Sequence, residues 1–326
     1  MDELTVGPRT GGRPARRTLA ALALGVLLVG ACQLWRNGGV EPLGAPPAGS
    51  LRLATHNVHY ILLGKATGAW SVGDWERRKG SLDAAFKALD ADVVAFQEME
   101  SFAGGDVGGV NLALEWLLAR NPDYAAAAVG DPATFPSTQP ILYRRARLEL
   151  IEEGWFFFSE TPEIIYSRTF DGSYPAFASW ARFRERGDGA TFRVFDVHTD
   201  FRSGENRRRS VELVAARIGP FIAAGETVFL AGDLNARLGS ANVETLEGAG
   251  LSFVPVSGST YHFGHGIDLF GAIDHLAHGP GAAAFGEPVV LRRRFDGRWP
   301  SDHYPLVADF RLEAPPEGGA AGGDAR

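Results

Sequence analysis

The chain has 326 residues, of which 45% are hydrophobic and 22% are charged, so its composition is that of a globular protein and not of a disordered one. Its formal net charge of −7 gives no support to a general electrostatic attraction for nucleic acid. Cys32 is the only cysteine, which excludes an internal disulfide and leaves stability to the hydrophobic core.

The N-terminal region has the pattern of an export signal. Four arginines at positions 9, 13, 16 and 17 precede an uncharged apolar run of thirteen residues, Leu19–Ala31. That length suits the core of a signal peptide but is short for a helix that spans ~30 Å of hydrocarbon. The run ends in small residues just before Cys32, which resembles a bacterial lipobox. We therefore predict an exported lipoprotein anchored to the cell membrane and facing the periplasm or the exterior, with an uncleaved membrane anchor as the alternative.

Composition predicts four regions along the chain. Residues 1–32 form the signal peptide with lipobox or the membrane anchor, and residues 33–50 form a linker rich in Gly, Pro and Ala. Residues 313–326 are of low complexity and are predicted to be a disordered tail. No internal repeat or second linker interrupts residues 51–312, which we predict to be one domain.

Three segments of this domain show helical periodicity. Residues 74–89 place four large apolar side chains on one face, and Asp74 is the predicted N-cap. The other two predicted helices are 111–120 and 204–223.

Most of the remaining domain consists of short β-rich runs bounded by Gly, Pro, Asp or Asn. The predicted strands are 51–56, 92–96, 139–149, 176–185, 190–197, 227–231, 268–278, 287–295 and 304–311. Many strands with a few long helices between them predict a layered α/β sandwich that contains two packed sheets.

Polar side chains stand at the ends of these predicted strands. Asp233 and Asn235 directly follow the apolar run 228–231, and five other segments end or begin in the same way. The candidates are Asn57, Glu98, His198, Asp233, Asn235, Asp274, Asp302 and His303. In a largely antiparallel sheet, the end of one strand shares an edge with the start of its neighbour, so all these groups can meet at one rim.

This set of residue types predicts metal-assisted phosphoester chemistry. Four carboxylates at one site repel one another unless they are protonated or bound to cations. An oxygen-rich set without cysteine suits a hard cation such as Mg²⁺, which keeps several waters that a phosphate can replace. Amides can donate hydrogen bonds to phosphoryl oxygens, and histidines can transfer protons.

Each motif alone has an ordinary structural explanation. A strand-end Asp or Asn, such as Asp233, more often caps a turn or the next helix, and an isolated His198 is more often a structural histidine. The co-occurrence of all six segments in this order favours a functional site.

Together the motifs resemble those of the endonuclease/exonuclease/phosphatase superfamily, the group that includes deoxyribonuclease I, neutral sphingomyelinases and inositol-polyphosphate 5-phosphatases. The resemblance covers residues 51–312. It rests on six short motifs: "THN" ending at Asn57, "FQE" ending at Glu98, "DVHTD" around His198, "GDLN" at 232–235, "IDH" at 273–275 and "SDH" at 301–303. It implies the deoxyribonuclease I-like fold, a four-layered α/β/β/α sandwich of two packed mixed sheets flanked by helices.

The resemblance also implies a role for each residue. Glu98 would be the main ligand of Mg²⁺, with Mn²⁺ as an alternative metal, and Asn57 and Asp302 would lie close to that metal. Asp233 would orient or deprotonate the attacking water, and Asn235 would hold the phosphate. His303, polarised by Asp274, would be the second catalytic histidine, and His198 would act across the phosphate as a general acid or transition-state stabiliser. Asn57, Asn235 and His198 would therefore contact the substrate.

One position departs from the deoxyribonuclease I branch. There, a glutamate ahead of the strand that here contains "ILYRR" orients the counterpart of His198. This chain has Ser137, Thr138 and Gln139 in that place, so the partner of His198 is not identified, and Asp200 is a candidate.

The sequence leaves the substrate open. A nuclease needs a basic groove, which the clusters 207–209 and 292–294 can supply, although solvated surface faces explain them equally. A phospholipid hydrolase needs an apolar rim, for which residues 153–160 are a candidate, although a core strand is the simpler explanation. A membrane-tethered binding module without activity is the alternative from another class, but no core motif is degraded. No obligate protein partner is evident.

Overall fold

The computed structural model describes residues 13–36, 42–102, 109–172 and 174–313. The first twelve residues of the predicted signal peptide and nearly all of the predicted tail lie outside these ranges, so those predictions are not tested. In chain order, the helices are α1 (Arg13–Arg36), α2 (Val72–Leu89), α3 (Leu112–Arg120), α4 (Gly204–Ala223) and α5 (Ala241–Gly248).

The strands form two large sheets and one small one. In chain order they are β1 (Leu51–Asn57), β2 (Ile61–Leu62), β3 (Val93–Gln97), β4 (Ser101–Phe102), β5 (Tyr124–Ala127), β6 (Ile141–Arg144), β7 (Leu148–Phe157), β8 (Phe177–Glu185), β9 (Thr191–His198), β10 (Thr227–Asp233), β11 (Ser252–Phe253), β12 (Asp274–His278), β13 (Ala282–Val290) and β14 (Leu306–Leu312). The first sheet has the order β13-β14-β1-β3-β6-β5, the second has the order β11-β12-β10-β9-β8-β7, and β2 pairs with β4.

Alternation along the strands builds three apolar layers. In β10, Phe229 and Ala231 point between the two sheets, whereas Val228 and Leu230 point outward onto α4 and α5. In β3, Val93 and Ala95 point inward, and the intervening residues pack against α2 and α3. Since side chains of a strand alternate between its faces, each central strand is apolar on both sides. The predicted four-layered α/β/β/α sandwich is confirmed.

The predicted elements match the observed ones with some differences. The helix 204–223 is found as predicted, but α2 begins at Val72 and its N-cap is Ser71, whose Oγ accepts a hydrogen bond from the Asp74 amide at 3.0 Å. Asp74 instead lies in the first turn of α2, where its negative charge interacts favourably with the positive end of the helix dipole. The segment 139–149 is split by a turn into β6 and the start of β7. Of the segment 268–278, only Asp274–His278 is a strand.

Both large sheets are mixed, and their register brings the strand ends together. β10 runs parallel to β9 and antiparallel to β12, so Asp233 pairs with His198 on one side and with Asp274 on the other. In the first sheet, β1 runs parallel to β3, and Asn57 pairs with Gln97. The rim therefore forms through parallel pairs as well as antiparallel ones, whereas the sequence argument relied on antiparallel pairing alone.

Close strand packing explains the glycine before Asp233. Gly232 has φ of 147°, and a Cβ at this position would lie 1.9 Å from the Val197 carbonyl oxygen on β9. A side chain there would force β9 and β10 apart, so glycine is required at this point of the "GDLN" motif.

Helix α1 exposes its apolar side chains, among them Leu19, Val26 and Leu27, each more than half exposed. Within the described ranges, none of the helices combines the length and the apolarity that crossing a membrane requires.

A buried carboxyl group lies between the two sheets behind the rim. Asp196 of β9 accepts a hydrogen bond from Gln97 Nε2 at 2.6 Å, and its second carboxyl oxygen has no hydrogen-bond partner among the described residues. Burial raises the pKa of Asp196 well above its ordinary value, although the Gln97 hydrogen bond opposes this. The folded protein therefore binds the Asp196 proton more tightly than the unfolded chain does.

Replacing Asp196 with asparagine is expected to stabilise the protein at pH 8 and to change stability little near pH 4. A carboxyl group whose pKa is raised by folding loses stability as pH rises above its ordinary pKa, by up to about 1.4 kcal/mol for each pH unit. Asparagine removes this dependence because it cannot ionise. Urea unfolding at both pH values measures the effect, with Asp123→Asn on the surface as the control. An equal difference at both pH values would contradict a protonated Asp196.

Candidate active site

The polar strand ends surround a cavity of about 480 Å³. Of the predicted site residues, six line it: Glu98, His198, Asp233, Asn235, Asp302 and His303. The remaining two lie directly beside it, because Asn57 contacts Glu98 and Asp233, and Asp274 contacts His303. The structure thus brings together all eight predicted residues, which come from distant parts of the chain.

Asn57 connects two carboxylates. Its Nδ2 donates hydrogen bonds to Glu98 Oε1 at 3.1 Å and to Asp233 Oδ2 at 3.2 Å, and its Oδ1 accepts one from the His59 amide at 3.2 Å. The amide nitrogen of Asn57, and not its oxygen, therefore faces the two acids. In this arrangement Asn57 fixes the positions of both carboxylates at the centre of the site.

Asp233 both ends its strand and faces the cavity. Its Oδ1 accepts a hydrogen bond from the Asn235 amide at 2.9 Å, and Asn235 has φ of 45°. The chain therefore turns after β10, and positions 233 and 235 do not lie on one side of an extended strand. The turn-capping explanation of Asp233 is correct for one oxygen, while Oδ2 points to the site. Asn235 is held by its own hydrogen bond from Nδ2 to the Thr199 carbonyl oxygen at 2.9 Å.

Asp274 and His303 form a buried pair. His303 Nδ1 lies 2.9 Å from Asp274 Oδ2, and His303 Nε2 lies 3.8 Å from Asp233 Oδ2. Burial opposes the charged imidazolium, but the Asp274 charge and hydrogen bond, together with Asp233 and Asp302, raise the pKa of His303 to about 10. His303 is therefore a cation at neutral pH, and its Nε2 points toward Asp233.

The environment of Asp233 raises the pKa of this carboxyl to about 6, through burial and the neighbouring Asp274 charge, against the opposing effect of His303 and His198. His198 Nε2 lies 3.7 Å from Asp233 Oδ2 and 3.9 Å from Glu98 Oε1. Asp233 is consequently a base with a pKa near neutrality, placed between two histidines. A general base is most effective when its pKa lies near the working pH.

Loop contacts hold Asp302 and Glu98 at the rim. Ser301 Oγ donates to the Asn57 carbonyl oxygen at 2.7 Å, which ties the "SDH" segment to the end of β1. Glu98 has φ of 54°, a left-handed conformation that ends β3 and directs the chain away from the sheet. Burial alone would raise the pKa of Asp302, but His303 and His59 outweigh it and lower that pKa.

The donor atoms suit a hard divalent cation. Among the described residues, the ligand atoms of Asp233, Asp274 and His303 lie within 4.8 Å of one another, although the hydrogen bond between Asp274 and His303 already occupies part of this cluster. Glu98 and Asp302 offer further carboxylates in the same cavity, and neither forms a salt bridge with a Lys or Arg of the described residues. Carboxylate oxygens with room for water match the preference of Mg²⁺. The predicted ligand set of Asn57, Glu98 and Asp302 stays a prediction.

Sequence reasoning did not single out Tyr174, whose hydroxyl is buried and has no partner among the described residues. Its ring lies 6.1 Å from that of His198 and lines the same cavity. Burial, reinforced by the Glu98 and Asp233 charges, raises the pKa of Tyr174 well above its ordinary value, so the hydroxyl keeps its proton. Tyr174 is therefore a fixed hydrogen-bond donor at the site.

If the site is catalytic, replacing Tyr174 with phenylalanine is expected to lower kcat about 10- to 100-fold with little change in KM, because a buried donor beside the reacting group gains most in the transition state. Steady-state kinetics on an aryl phosphodiester with Mg²⁺ measures this. Tyr166→Phe is the matched control, because Tyr166 lies on the same loop as Tyr174 and its hydroxyl donates a hydrogen bond to the Pro132 carbonyl oxygen. Equal kcat values for the two variants would show that the Tyr174 hydroxyl has no catalytic contact.

The cavity wall is aromatic and acidic. Tyr60, Trp70 and Phe102 lie on one side, where the Tyr60 ring stacks 6.0 Å from Trp70 and lies 5.4 Å from Phe102. Glu100 adds a carboxyl whose pKa is raised to about 7 by burial and by Glu98. None of the described residues that line this cavity is Lys or Arg. These residues lie in loops and very short strands without periodicity, so no sequence pattern identified them.

Surfaces that the sequence suggested for substrate binding have other roles in the structure. Phe156, Phe157 and Phe158 are buried in the core, so the simpler core-strand explanation of residues 153–160 holds and these residues do not form an apolar rim. Arg208 pairs with Glu205 and Glu212 on its own helix. The 207–209 cluster is thus largely a helix surface.

Two mixed sheets whose polar strand ends surround one cavity are the architecture of a phosphoesterase fold. Residues 54–303 match the sequence model described as the endonuclease/exonuclease/phosphatase family, and the chain belongs to that family. The family assignment made from the six motifs is confirmed.

Solved structures of known proteins support the fold. A family member from Bacteroides vulgatus is 22% identical, with a TM-score of 0.68 over 81% of this chain and 99% of that one. A mannosyl-6-phosphatase from Bacteroides thetaiotaomicron is 22% identical, with a TM-score of 0.66 over 80% and 99%. D. rerio TDP2 complexed with a single-strand DNA product is 17% identical, with a TM-score of 0.56 over 80% and 98%. No curated protein sequence gives a significant match.

Proposed function

We propose that this protein is a divalent-metal-dependent phosphoester hydrolase. The observation that carries the proposal is the position of Asp233, a buried base whose Oδ2 lies 3.7 Å from His198 Nε2 and 3.8 Å from His303 Nε2. A carboxylate between two histidines at the base of an open cavity can take a proton from water while the histidines face the charge that develops on phosphorus.

Each residue has a defined part in this proposal. Asp233 orients water and accepts its proton, and Asn235 uses its second amide hydrogen to hold a phosphoryl oxygen. His303, kept cationic by Asp274, donates to the phosphoryl group, and His198 faces it from the other side and protonates the leaving oxygen. Glu98 and Asp302, with Asn57 beside them, would hold Mg²⁺ or Mn²⁺. When bound, the metal supplies Lewis-acid polarisation of the phosphoryl oxygens.

Purified protein assayed with and without Mg²⁺ on a phosphoester panel tests the proposal. The panel contains plasmid DNA, single-stranded DNA, RNA, sphingomyelin, phosphoinositides, mannose 6-phosphate and an aryl phosphodiester. We expect hydrolysis of at least one substrate that chelation abolishes and that Mg²⁺ or Mn²⁺ restores. Absence of hydrolysis across the panel would favour the alternative, a binding module that has lost activity.

We also propose that the protein is exported and attached to the cell membrane through Cys32. The apolar run 19–31, the small residues before Cys32 and the exposure of that cysteine support this. Replacing Cys32 with serine is expected to move the protein from the membrane fraction to the soluble exported fraction and to abolish labelling with radioactive palmitate. Unchanged labelling would exclude Cys32 as the lipidated residue. We also propose that the protein needs no obligate protein partner.

A further inference from the structure

The residue after the proposed lipid attachment point contacts the catalytic domain at two places. Gln33 Nε2 donates to the Asp268 carbonyl oxygen at 3.1 Å, and Gln33 Oε1 accepts from the Asp268 amide at 2.8 Å. One glutamine side chain thus pairs with both backbone groups of one loop residue. This two-point contact places Cys32 beside the loop that contains Asp268.

That loop carries an exposed apolar patch, which we define as Phe263, Leu269 and Phe270. Their exposed fractions are 37%, 60% and 54%, and the rings of Phe263 and Phe270 lie 5.7 Å apart. Large apolar side chains gathered on a surface, in contrast to ones scattered singly, mark an interaction site.

The patch continues into the mouth of the cavity. The Tyr261 ring lies 4.5 Å from Phe263 and 4.9 Å from His303, so a row of rings connects the patch with the site. Phe201 and Trp70, 57% and 39% exposed, add apolar surface to the cavity wall. Apolar side chains therefore line part of the cavity and continue from it to the patch.

The positive charges near the patch are arranged as expected for a protein that binds a bilayer surface. The described residues that line the cavity include no Lys or Arg, whereas the adjoining groove that contains Phe263 also contains Arg294 and Arg298. Arg237, which is exposed, lies beside the patch, with its Cδ 3.5 Å from the position of a Cβ on Gly271. Apolar side chains that enter the acyl boundary, flanked by arginines at headgroup level, are typical of interfacial binding.

From these observations we propose that the patch docks on the lipid bilayer and that the substrate is a phosphodiester headgroup of a membrane phospholipid. The inference rests on the proposed function. An acyl chain on Cys32 and the patch provide two membrane contacts on the same side as the cavity, and stable anchoring requires two such signals. Water attacks phosphorus, one P–O ester bond breaks, and the leaving oxygen takes a proton, giving a phosphomonoester and an alcohol.

The test compares vesicle and soluble substrates with the full chain and Mg²⁺. The double variant Leu269→Gln/Phe270→Gln is expected to hydrolyse phosphatidylcholine vesicles with a minor fraction of phosphatidylglycerol at least about 10-fold more slowly than the parent chain. Hydrolysis of a soluble aryl phosphodiester should stay unchanged because neither side chain lines the cavity. Ile164→Gln is the matched control and should behave as the parent, because Ile164 is 58% exposed but does not line the cavity.

The outcomes separate this inference from the proposed function. Equal vesicle hydrolysis by the double variant and its control overturns the docking surface. Cleavage of single-stranded DNA or of the aryl phosphodiester without any vesicle hydrolysis overturns the lipid substrate and leaves the hydrolase intact. Failure to cleave any substrate overturns the proposed function itself. Sedimentation with vesicles provides a readout besides activity: the double variant should sediment less than the parent chain, and Ile164→Gln should sediment as the parent does.

Discussion

Replacing Asp233 with asparagine is expected to lower kcat/KM of the Mg²⁺-dependent reaction by about 10³-fold or more, with the fold intact. The change keeps the shape of the side chain, and one amide oxygen can still accept the Asn235 hydrogen bond. It removes the base that faces His198 and His303. Steady-state kinetics on the substrate selected by the panel measures the loss.

Asp196→Asn is the matched control for this variant. It makes the same chemical change at a buried carboxyl on the neighbouring strand, which pairs with Ala231 and lies outside the cavity lining. Its activity should stay within about threefold of the parent. Parental activity in Asp233→Asn would refute the assignment of the base. In the parent protein, the rate should fall as pH decreases through about 6, since the protonated carboxyl cannot accept a proton from water.

Replacing Glu98 with glutamine is expected to abolish the response to metal and to lower activity by about 10³-fold. Glutamine keeps the size of the side chain but removes the charge that a hard cation requires. Titration with Mn²⁺, followed by the electron paramagnetic resonance signal of the free ion, measures the affinity independently of activity. We expect Mn²⁺ binding to weaken about 10- to 100-fold.

Glu100→Gln separates a ligand effect from a general charge effect. Glu100 lines the same cavity two residues further along the chain, but the predicted ligand set does not include it. If the cavity attracted the metal only through its total negative charge, both variants would weaken Mn²⁺ binding equally. A loss confined to Glu98→Gln would identify Glu98 as the ligand.

The sequence predicted the elements whose patterns are regular. Helix α4 was predicted at its observed bounds because its apolar face repeats with helical spacing from Val211 to Ile218. Strand β10 was recognised from its apolar run, and the polar residues after it defined one part of the rim. Family motifs then supplied the order of the six segments, so the eight residues that lie at or beside the cavity could be named in advance.

Features that depend on tertiary contacts could not be predicted. The N-cap of α2 was assigned to Asp74, but the structure has Ser71 there. Both residue types are good caps, and only the backbone shows which one precedes the first turn. The left-handed conformation of Asn235 was not predicted, since it is not evident from an asparagine alone. Tyr174 and the cavity wall lie in loops whose positions are set by contacts distant in sequence. The apolar run 153–160 was ambiguous because core strands and exposed rims have similar compositions.

The register of the second sheet affects how the specificity of this protein can change. His198, Asp233 and Asp274 stand on three neighbouring strands, so the backbone ladder fixes their spacing. The groups that would meet the rest of a substrate, such as Trp70, Tyr174 and the patch, belong to loops and short strands. The strands thus fix part of the proposed chemistry, while loops carry Glu98, Asn235, Asp302 and His303 as well as the groups for recognition. If the proposed function is right, exchanging only the loops that carry Trp70, Tyr174 or the patch should redirect the protein to another phosphoester while the reacting groups keep their positions.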